Sequence, residues 1–267
     1  MPFTHRLSPS NKIRLAEVPT SGHDFHQSRD KAEEEFKALR KRLAHLQNRL
    51  YASGKHRLLV LLQAMDAGGK DSTIRHVFKG VNPQGVQVHS FKTPSKEELS
   101  HDYLWRVHAA APAAGTIGVF NRSHYEDVLV VRVEDLVPRS IWEKRYQHIN
   151  DFERMLSDCG TTILKFFLHI SKDEQKKRFQ DRLSTFYKQW KFSVDDLRKR
   201  KQWDQYQEAF EDMLNNCTTD HAPWYVIPAD QKWYRNLTIS KTIVHALEDL
   251  DPEFPSVEEG IENVVIE

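Results

Sequence analysis

Cysteine is scarce in this 267-residue sequence, and long hydrophobic runs are missing. The two cysteines, Cys159 and Cys217, have neither C-x-x-C spacing nor a nearby group of histidines, so they predict no disulfide framework and no zinc site. No apolar run reaches membrane-spanning length, and the first thirty residues are polar and interrupted by three prolines, which is unlike a signal peptide. We therefore expect a soluble, cytoplasmic protein with reduced thiols and no membrane partner.

An excess of charge of one sign is also missing. The sequence has 39 Lys and Arg against 38 Asp and Glu, a net charge of +1, which gives no reason to expect a nucleic-acid partner. The sequence lacks internal repeats and a clean linker as well, so a single domain is the simplest organisation. Any anion-binding site must therefore be local.

The most informative stretch is residues 58–72. An uncharged apolar run, too short for a buried helix, stops at Gly68-Gly69 and is followed by Lys70 and an amphipathic segment, a pattern typical of strand, loop and helix. Such a turn gathers unpaired backbone N–H groups at the positive end of a helix dipole, where a phosphate can bind, and Lys70 adds a point charge. The predicted phosphate-binding residues here are Ala67, Gly68, Gly69, Lys70, Asp71 and Ser72.

This loop departs from the usual P-loop pattern, G-x-x-x-x-G-K-[ST]. Ala64 stands in place of the first glycine and Asp71 in place of the Ser or Thr, with Ser72 one position late. A plainer interpretation is that the glycines form only a tight connection and that Lys70 is exposed. The buried strand before the loop, the acidic residue inside it and the hydroxyl after Lys70 favour phosphate binding.

Asp66 lies inside the loop, where a carboxylate would repel a phosphate. It is therefore a candidate metal ligand, or a group that orients or deprotonates the acceptor, although an Asp often only hydrogen-bonds its own turn. Asp71, in the first helical turn, can act simply by complementing the helix dipole.

Short apolar segments that predict strands recur along the chain, each followed by a segment of helical periodicity. Further strands are predicted at residues 86–91, 116–120, 163–170 and 224–227, and helices at residues 31–50, 73–79, 95–110, 142–156, 194–215 and 238–250, with another helix after Ser171. This alternation predicts a five-stranded parallel sheet in a three-layer α/β/α sandwich. We expect an extended N-terminal arm at residues 1–26, one domain at residues 27–251 with a helical lid at about 171–215, and a loosely attached tail at residues 252–267.

The first long helix carries a heptad-like apolar stripe. Its members are Ala32, Phe36, Leu39, Leu43, Leu46 and Leu50. The stripe predicts that the helix packs in a groove, either on its own sheet or against a second copy of the chain.

A second polar loop follows the third predicted strand, and a parallel sheet places it at the same edge as the phosphate-binding loop. Arg122 would bring a fork of donors near the phosphates, or form a structural salt bridge. Ser123 and Glu126 have the spacing of a capping box, so Glu126 could serve only to close a helix. Asp127 is not needed for such a cap, which makes it the more interesting carboxylate. Of the histidines, His124 is the one placed for function.

Two arginines, Arg178 and Arg182, lie four residues apart on the helix that begins with the capping-box pattern of Ser171 and Glu174. A moving lid could bring both onto a transferring phosphoryl group. A solvated charged face is the alternative. We assign the other basic residues of this region mostly to such a face: Lys176, Lys177, Arg198, Lys199, Arg200 and Lys201.

Three motifs together resemble the polyphosphate kinase family 2: QAMDAGGKD at residues 63–71, FNRSHYED at residues 120–127 and APWYVI at residues 222–227. The resemblance extends from about residue 39 to residue 250, and the second motif most resembles the subgroup that phosphorylates both nucleoside mono- and diphosphates. It implies a P-loop kinase fold similar to thymidylate kinase, and reversible transfer of the terminal phosphoryl group of inorganic polyphosphate to AMP or ADP, making ADP or ATP. It also implies Mg²⁺ as cofactor, with Mn²⁺ as a substitute, a homo-oligomer (dimer or tetramer), and guanine nucleotides as further candidate substrates.

The resemblance assigns roles by position. Asp66 and Lys70 match the Walker A acid and lysine, Arg122 matches the Walker B arginine, and Arg178 and Arg182 match the basic residues of the lid. These five are the predicted catalytic residues.

Asn121 stands where most of the family has Asp, so the resemblance puts a metal-ligand role at this position in doubt. Asp66 or Asp127 would then hold the metal. The nucleotide is expected between the lid and the second loop, at Asn121, Tyr125, Glu126 and Asp127.

Polyphosphate is expected along a basic path past Lys70, Arg75 and Lys79. Two other functions fit the same residues. One is an ATP-dependent nucleotide kinase, and the other is a nucleotide-binding regulator without turnover, which the unusual Ala64 and Asp71 suggest.

Overall fold

The computed structural model describes residues 4–261 and 264–266, and its centre is a five-stranded parallel sheet. The strands are β1 (Arg57–Gln63), β2 (Val86–Ser90), β3 (Ile117–Asn121), β4 (Thr161–His169) and β5 (Trp224–Pro228). Their order across the sheet is β2-β3-β1-β4-β5, and all neighbours are parallel. The predicted five-stranded parallel sheet is confirmed.

β1 is the central strand of the sheet, and nearly all of it is buried. Six of its seven residues are buried, and Val60 lies opposite Val119 of β3 and Leu164 of β4. A strand covered by helices on both faces has no solvent side, so it appears in the sequence as a continuous apolar run. The chain leaves β1 toward β2 and leaves β3 toward β4, in opposite directions along the sheet, and α/β folds bind ligands near such a point.

Ten α-helices surround the sheet within residues 4–261 and 264–266. They are α1 (Arg29–Ser53), α2 (Lys70–Val77), α3 (Lys96–Ser100), α4 (Trp105–Ala109), α5 (Val130–Val133), α6 (Arg139–Asp158), α7 (Lys172–Ser184), α8 (Val194–Lys201), α9 (Trp203–Asn216) and α10 (Lys232–Leu250). α10 packs against α1 and α2, whereas α6 and α9 pack against each other. Two groups of helices thus cover the sheet, as the predicted α/β/α architecture requires.

The helix predicted at residues 95–110 is two short helices, α3 and α4. His101, after α3, has an extended backbone, and the carboxylate of Asp102 accepts a hydrogen bond from the N–H of Leu104 at 2.9 Å. A side chain that bonds its neighbouring backbone offers the chain an alternative to the helix, which explains the break.

The long helix predicted at residues 194–215 is also broken, at Gln202, between α8 and α9. Every residue of α8 is exposed or half-buried, whereas α9 buries Trp203, Tyr206 and Phe210. The change from a solvated helix to one that packs in the core requires a change of direction. We attribute the break to this requirement, since neither Gly nor Pro stands at the junction.

The apolar stripe of α1 packs within its own chain. Ala32, Leu43, Leu46 and Leu50 are buried, and α10 is the neighbouring helix. Ion pairs flank the contact, including Arg42 to Glu248 at 2.8 Å. Of the two predicted positions for this helix, the structure supports the one on its own sheet.

The N-terminal arm is tied to β5. The N–H of Leu7 donates to the carbonyl of Trp224 at 2.8 Å, and the N–H of Val226 donates to the carbonyl of His5 at 3.0 Å. Two 3-10 turns follow, at Leu15–Glu17 and Gly22–Asp24, so the arm is extended only in part. Residues 1–3 of the predicted arm, and residues 262, 263 and 267 of the predicted tail, lie outside the described residues.

Helices of the described chain, residues 4–261 and 264–266, are too short or too polar to cross a membrane. Both cysteines are free thiols, with Cys159 exposed and Cys217 buried.

Candidate phosphate-binding and catalytic site

The loop between β1 and α2 is shaped by two glycines. A Cβ atom on Gly68 would overlap the Cβ of Ala64, and Gly69 has φ +103°, a conformation that side chains rarely adopt. Gly69 immediately precedes α2 and has no side chain with which to cap it. The first N–H groups of α2 have no partner within the helix, so they are available to an anion.

Lys70 begins α2 and folds back over the loop. Its Nζ donates to the carbonyl oxygen of Ala64 at 2.8 Å, and its side chain is buried. Burial, and then the charge of Arg122, lower the pKa of Lys70 from 10.5 to about 8, against the opposing effect of Asp66 and other nearby carboxylates. The lysine predicted from the sequence thus lies at the phosphate-binding loop, inside it rather than on the surface.

Arg178 supports this loop from the outside. Its Nη1 donates to the carbonyls of Ala67 and Gly68 at 3.0 and 2.9 Å, and its Nη2 donates to the carbonyl of Ala229 at 2.6 Å. Its Nε donates to Glu174 at 2.8 Å. In this structure the buried Arg178 side chain fixes the loop through these hydrogen bonds, and its predicted approach to the phosphoryl group with a lid stays a prediction.

The second loop begins at Arg122, which has φ +63° and points its side chain toward the first loop. Its Nη2 donates to Asp66 at 3.1 Å, and its Nη1 lies 3.8 Å from Glu126. The negative charge of Glu126, with a smaller effect from Asp66, raises the pKa of Arg122 against the opposing effect of burial. Positive φ at a residue with a side chain is strained, and such strain is typical of functional sites.

Lys199 of α8 belongs to the basic residues that the sequence assigns mostly to a solvated face, but it lies at the candidate site. Its Nζ lies 3.9 Å from Asp66 and 3.2 Å from Asp195, and the side chain is 20% exposed. Lys199 and Arg122 therefore lie near different oxygens of the Asp66 carboxylate.

A cleft opens between the first loop and the helices α5, α8 and α9. Its polar lining is Asp66, Arg122, Glu126, Lys199 and Tyr206. The cleft has carboxylates that can hold a cation and fixed cations that can neutralise phosphate, which is the inventory that phosphoryl transfer requires.

The side chains of Asp71 and Ser72 point away from this cleft. Asp71 accepts a hydrogen bond from Asn121 Nδ2 at 2.7 Å and lies 3.6 Å from Lys191 Nζ. The hydroxyl of Ser72 accepts from Arg235 Nη2 at 2.9 Å. Any contribution of these residues to phosphate binding would therefore come from their backbone N–H groups.

Burial raises the pKa of the Asp71 carboxyl, but the hydrogen bond from Asn121 and the charge of Lys191 outweigh it and leave the pKa low. Asp71 therefore stays ionised at the start of α2, where the helix dipole favours a negative charge.

The remaining basic residues of the predicted path lie farther along the chain. Arg75 and Lys79 are exposed on α2 and just after it. Arg182, one turn after Arg178, is partly buried and pairs with Asp196 at 3.4 Å. The two lid arginines therefore face different neighbours, although their spacing predicted a common face.

Tyr125 does not line the cleft, so the structure does not bring it to the predicted nucleotide site. Its ring is fully buried, and its hydroxyl bonds Glu153 and Lys165 at 2.8 Å each. His124 is buried as well, 3.1 Å from the same Glu153 carboxylate. Burial raises the pKa of Glu153, but Lys165 outweighs it and keeps the carboxylate ionised. Both residues of the second loop thus belong to a buried polar network.

Asp127 also lies outside the cleft lining. Its carboxylate accepts from Arg145 Nη1 at 2.9 Å, and burial raises its pKa to about 6 against the opposing charge of Arg145. Among residues 4–261 and 264–266, no three acidic, histidine or cysteine residues form a ready-made metal cluster. The geometry therefore supports Asp66, rather than Asp127, as the candidate metal ligand.

Neither predicted capping box is complete. The Ser123 hydroxyl accepts from the N–H of Tyr125 rather than Glu126, so the Glu126 carboxylate is left for Arg122. The Ser171 hydroxyl accepts from the N–H of Glu174, but the Glu174 carboxylate bonds Arg178 instead of returning to the cap.

Two basic residues at the site escaped the sequence argument, Lys199 and Arg235. Lys199 lies within a run of four basic residues, 198–201, and the usual meaning of such a run is a solvated face. Arg235 lies within an amphipathic helix that the sequence predicted to begin only at residue 238. A fully buried arginine next to the loop could not be inferred from either pattern.

Comparisons with known proteins show which family this chain resembles throughout its length. The family model described as Polyphosphate kinase 2 matches residues 26–255. A Meiothermus ruber protein named AMP/ADP-polyphosphate phosphotransferase is 54% identical over 264 residues, which cover 98% of this chain and 99% of that protein. A Rhodopseudomonas palustris protein named ADP-polyphosphate phosphotransferase is 45% identical, with 94% and 91% covered. The crystal structure of Polyphosphate Kinase 2 from Arthrobacter aurescens TC1 superposes with a TM-score of 0.93 at 41% identity, with 98% and 94% covered.

Proposed function

The chain belongs to the polyphosphate kinase 2 family, and on this premise we propose that it transfers the terminal phosphoryl group of inorganic polyphosphate to ADP and AMP, making ATP and ADP. The reaction is reversible. In the forward direction the bond between the terminal phosphorus and its bridging oxygen breaks, and a bond to an acceptor phosphate oxygen forms. The polyphosphate leaves one unit shorter.

One observation carries this proposal: an uncapped helix start with a buried lysine lies beside a cleft where Asp66 and Arg122 are 3.1 Å apart. The loop and Lys70 provide a cradle for the phosphate chain. Arg122, held by Glu126 on its other side, presents a planar fork of donors to the reacting phosphoryl oxygens. Phosphoryl transfer depends mainly on positioning and charge neutralisation, and these residues provide both.

Lys199 would complete the charge around the transferring group. It reaches the cleft from α8, so its position depends on how the lid segment lies over the loop. A nucleotide would enter between α8 and the second loop. Of the predicted nucleotide-binding residues, Glu126 lines the cleft and Asn121 donates to Asp71 beside the first loop.

We further propose Mg²⁺, with Mn²⁺ as a substitute, as the cofactor. Mg²⁺ commonly binds through one or two carboxylates together with substrate phosphates and water, and Asp66 with nearby Glu126 fits that donor set. The ion supplies neutralisation of phosphate charge when bound. To hold the ion, the Asp66 carboxylate would give up its contacts with Arg122 and Lys199.

Guanine nucleotides as substrates, a homo-oligomeric state and a cytoplasmic location are also part of the proposal. The buried stripe of α1 does not supply an oligomer contact, because α10 of the same chain covers it. A dimer or tetramer would have to use other surfaces.

The test is product formation by the purified protein. With polyphosphate, Mg²⁺ and AMP as the starting mixture, we expect ADP to form first and then ATP. Chromatography of the nucleotides over time measures both products. If ATP replaces polyphosphate as the donor and polyphosphate gives no product, the protein is an ATP-dependent nucleotide kinase. Tight nucleotide binding without any product would instead identify a regulator.

A further inference from the structure

Arg235 of α10 is a fully buried arginine beside the phosphate-binding loop. Its Nη2 donates to the Ser72 hydroxyl at 2.9 Å and to Asn236 Oδ1 at 2.8 Å, and its Nε also donates to Asn236. Its Nη1 has no hydrogen-bond partner among residues 4–261 and 264–266. That nitrogen lies against Gly69, where a Cβ atom would overlap it.

The charge of Arg235 is not balanced by a carboxylate in the described chain. The partners of its guanidinium are a hydroxyl and an amide oxygen. Burial and the charge of Arg178 lower the pKa of Arg235 to about 9. Two other buried cations are paired with carboxylates: Lys165 with Glu153 and Arg178 with Glu174. A buried, unpaired cation destabilises a fold, so its presence here needs a reason.

The reason lies in its place under the start of α2. Arg235 contacts the loop at Gly69 and holds Ser72 in the first helical turn. The N–H groups of that turn are those available to an anion, and a polyphosphate chain brings several negative charges to them. In a water-poor environment the attraction between such charges and a buried cation is only weakly screened.

We propose that Arg235 is a positioning residue for the polyphosphate donor, its buried charge being balanced by the phosphates held in the loop. The inference rests on the proposed function of that loop. Arg235 does not touch the reacting atoms; it acts through Gly69 and Ser72. Its charge destabilises the ligand-free protein and is offset when the donor binds.

Two variants of Arg235 and one control test this inference. R235M removes the charge while keeping an extended apolar side chain, and R235K keeps the charge. R132M makes the same change at an arginine that is paired with Glu208 and Asp212 and lies on another helix. For each protein we would measure the ligand-free melting temperature, the Kd for inorganic tripolyphosphate and for ADP by calorimetry with Mg²⁺, and the KM and kcat for polyphosphate.

We expect R235M to melt at or above the wild-type temperature without ligand, yet to bind tripolyphosphate about tenfold more weakly or worse, which is about 1.4 kcal/mol. Its KM for polyphosphate should rise while kcat changes less than threefold, and its Kd for ADP should stay within twofold. R235K should recover most of the affinity. R132M should show the opposite pattern, a lower melting temperature with an unchanged Kd.

Several outcomes would overturn the inference. If R235M melts well below wild type and binds tripolyphosphate normally, Arg235 is only a structural residue. If ADP affinity falls and tripolyphosphate affinity does not, the loop holds the nucleotide. If R235M does not fold, R235Q replaces it, and equal affinity of R235Q and wild type counts against the proposal. Failure of the wild-type protein to bind tripolyphosphate would instead contradict the proposed function itself.

Discussion

Lys70 illustrates at the residue scale how burial changes the pKa of a candidate phosphate-binding group. Burial and the neighbouring Arg122 bring its pKa down to about 8, so the ligand-free side chain loses its proton as pH rises through that value. Only the protonated form attracts a phosphate as a cation. The folded pKa lies below the unfolded one, so this group also makes the ligand-free fold relatively more stable as pH rises above about 8.

The pKa of Lys70 predicts a pH dependence of polyphosphate binding. Affinity should be full below about pH 8 and should fall as pH rises through that value, with proton uptake on binding near pH 8. K70R should flatten this profile between pH 7 and 9, because a guanidinium stays protonated. Calorimetry in buffers of different ionisation enthalpy measures both quantities. An unchanged pH profile in K70R would show that another group titrates.

A second residue-scale prediction separates the two candidate metal ligands. D66N should lower kcat by about 100-fold or more, the scale of losing a key electrostatic group, and should weaken Mn²⁺ binding measured by electron paramagnetic resonance with tripolyphosphate present. D127N should keep Mn²⁺ binding within about threefold, which is under 1 kcal/mol, because its carboxylate is occupied by Arg145. The reverse order of effects would restore Asp127 as the ligand.

The residues that sequence reasoning identified are those whose signal is local. Lys70 and Asp66 were found because a strand, a glycine pair and a helix follow each other within fifteen residues. The burial of Tyr125 was not foreseen because its partners, Glu153 and Lys165, come from α6 and β4. When a side chain bonds residues from distant segments, the residues next to it in the sequence give no sign of that bond.

At the element scale, the predicted lid segment, residues 171–215, contains parts that differ in burial. Arg178 anchors the first half of α7 to the loop, and α9 buries its aromatic face in the core. Between them lie the 3-10 helix Phe186–Lys191 and the solvated α8. We therefore propose that residues 185–202 form the moving part of the lid.

The exposed aromatic residues of this segment support the proposal. Phe186, Tyr187 and Trp190 are 88%, 72% and 78% exposed. Few apolar contacts and a solvated backbone mark the parts of a fold that open most easily. Two ion pairs, Lys199 to Asp66 and Lys191 to Asp71, join the segment to the phosphate-binding loop.

Hydrogen exchange with mass spectrometry checks this assignment. Peptides covering residues 186–201 should exchange at least about tenfold faster than peptides of α9, since local opening costs less where fewer contacts are lost. Polyphosphate with ADP and Mg²⁺ should slow that exchange. Peptides of α9 serve as the internal control. Equal protection of residues 186–201 and α9 without ligand would show that the segment is part of the rigid core.

The lid also shows why helix limits were predicted less well than helix positions. Residues 194–215 have helical periodicity throughout, and Gln202 carries no turn signal. The break arises because Trp203 must enter the core while α8 stays in solvent. The position of the break is therefore set by tertiary packing, and the local sequence pattern carries no information about that packing.

On the scale of the whole molecule, a buried ion pair joins the sheet to helix α6. Lys165, in the middle of β4, pairs with Glu153 of α6 and also donates to Tyr125 and to the carbonyl of Cys217. Both charged side chains are fully buried. Such pairs hold elements in a fixed arrangement, but removing one partner leaves a buried charge.

K165M should therefore lower the free energy of unfolding by about 3–5 kcal/mol, because Glu153 is left unpaired. The double variant K165M/E153L should recover most of this loss, since a neutral apolar pair leaves no buried charge. Denaturant unfolding followed by circular dichroism measures both. If the double variant is no more stable than K165M, the hydrogen bonds to Tyr125 and Cys217, rather than the charge, account for the loss.

The overall architecture was predictable because β1, β3 and β4 are buried on both faces and stand out as apolar runs between helices. The order of the strands was not, since it depends on which helices fit together. The stripe of α1 left two partners open, and its contact with α10, which lies almost two hundred residues later, decided between them.

The pairing of residues 5–7 with β5 has a consequence for solubility. β5 is the last strand of the sheet, and an outermost strand presents a row of free N–H and C=O groups on which a strand of another molecule can grow. Leu7 and His5 occupy part of that row at Trp224 and Val226. Residues 5–7 thus cover part of the edge of β5. Removing them would expose free backbone groups for intermolecular β-pairing, even in a variant that kept its activity.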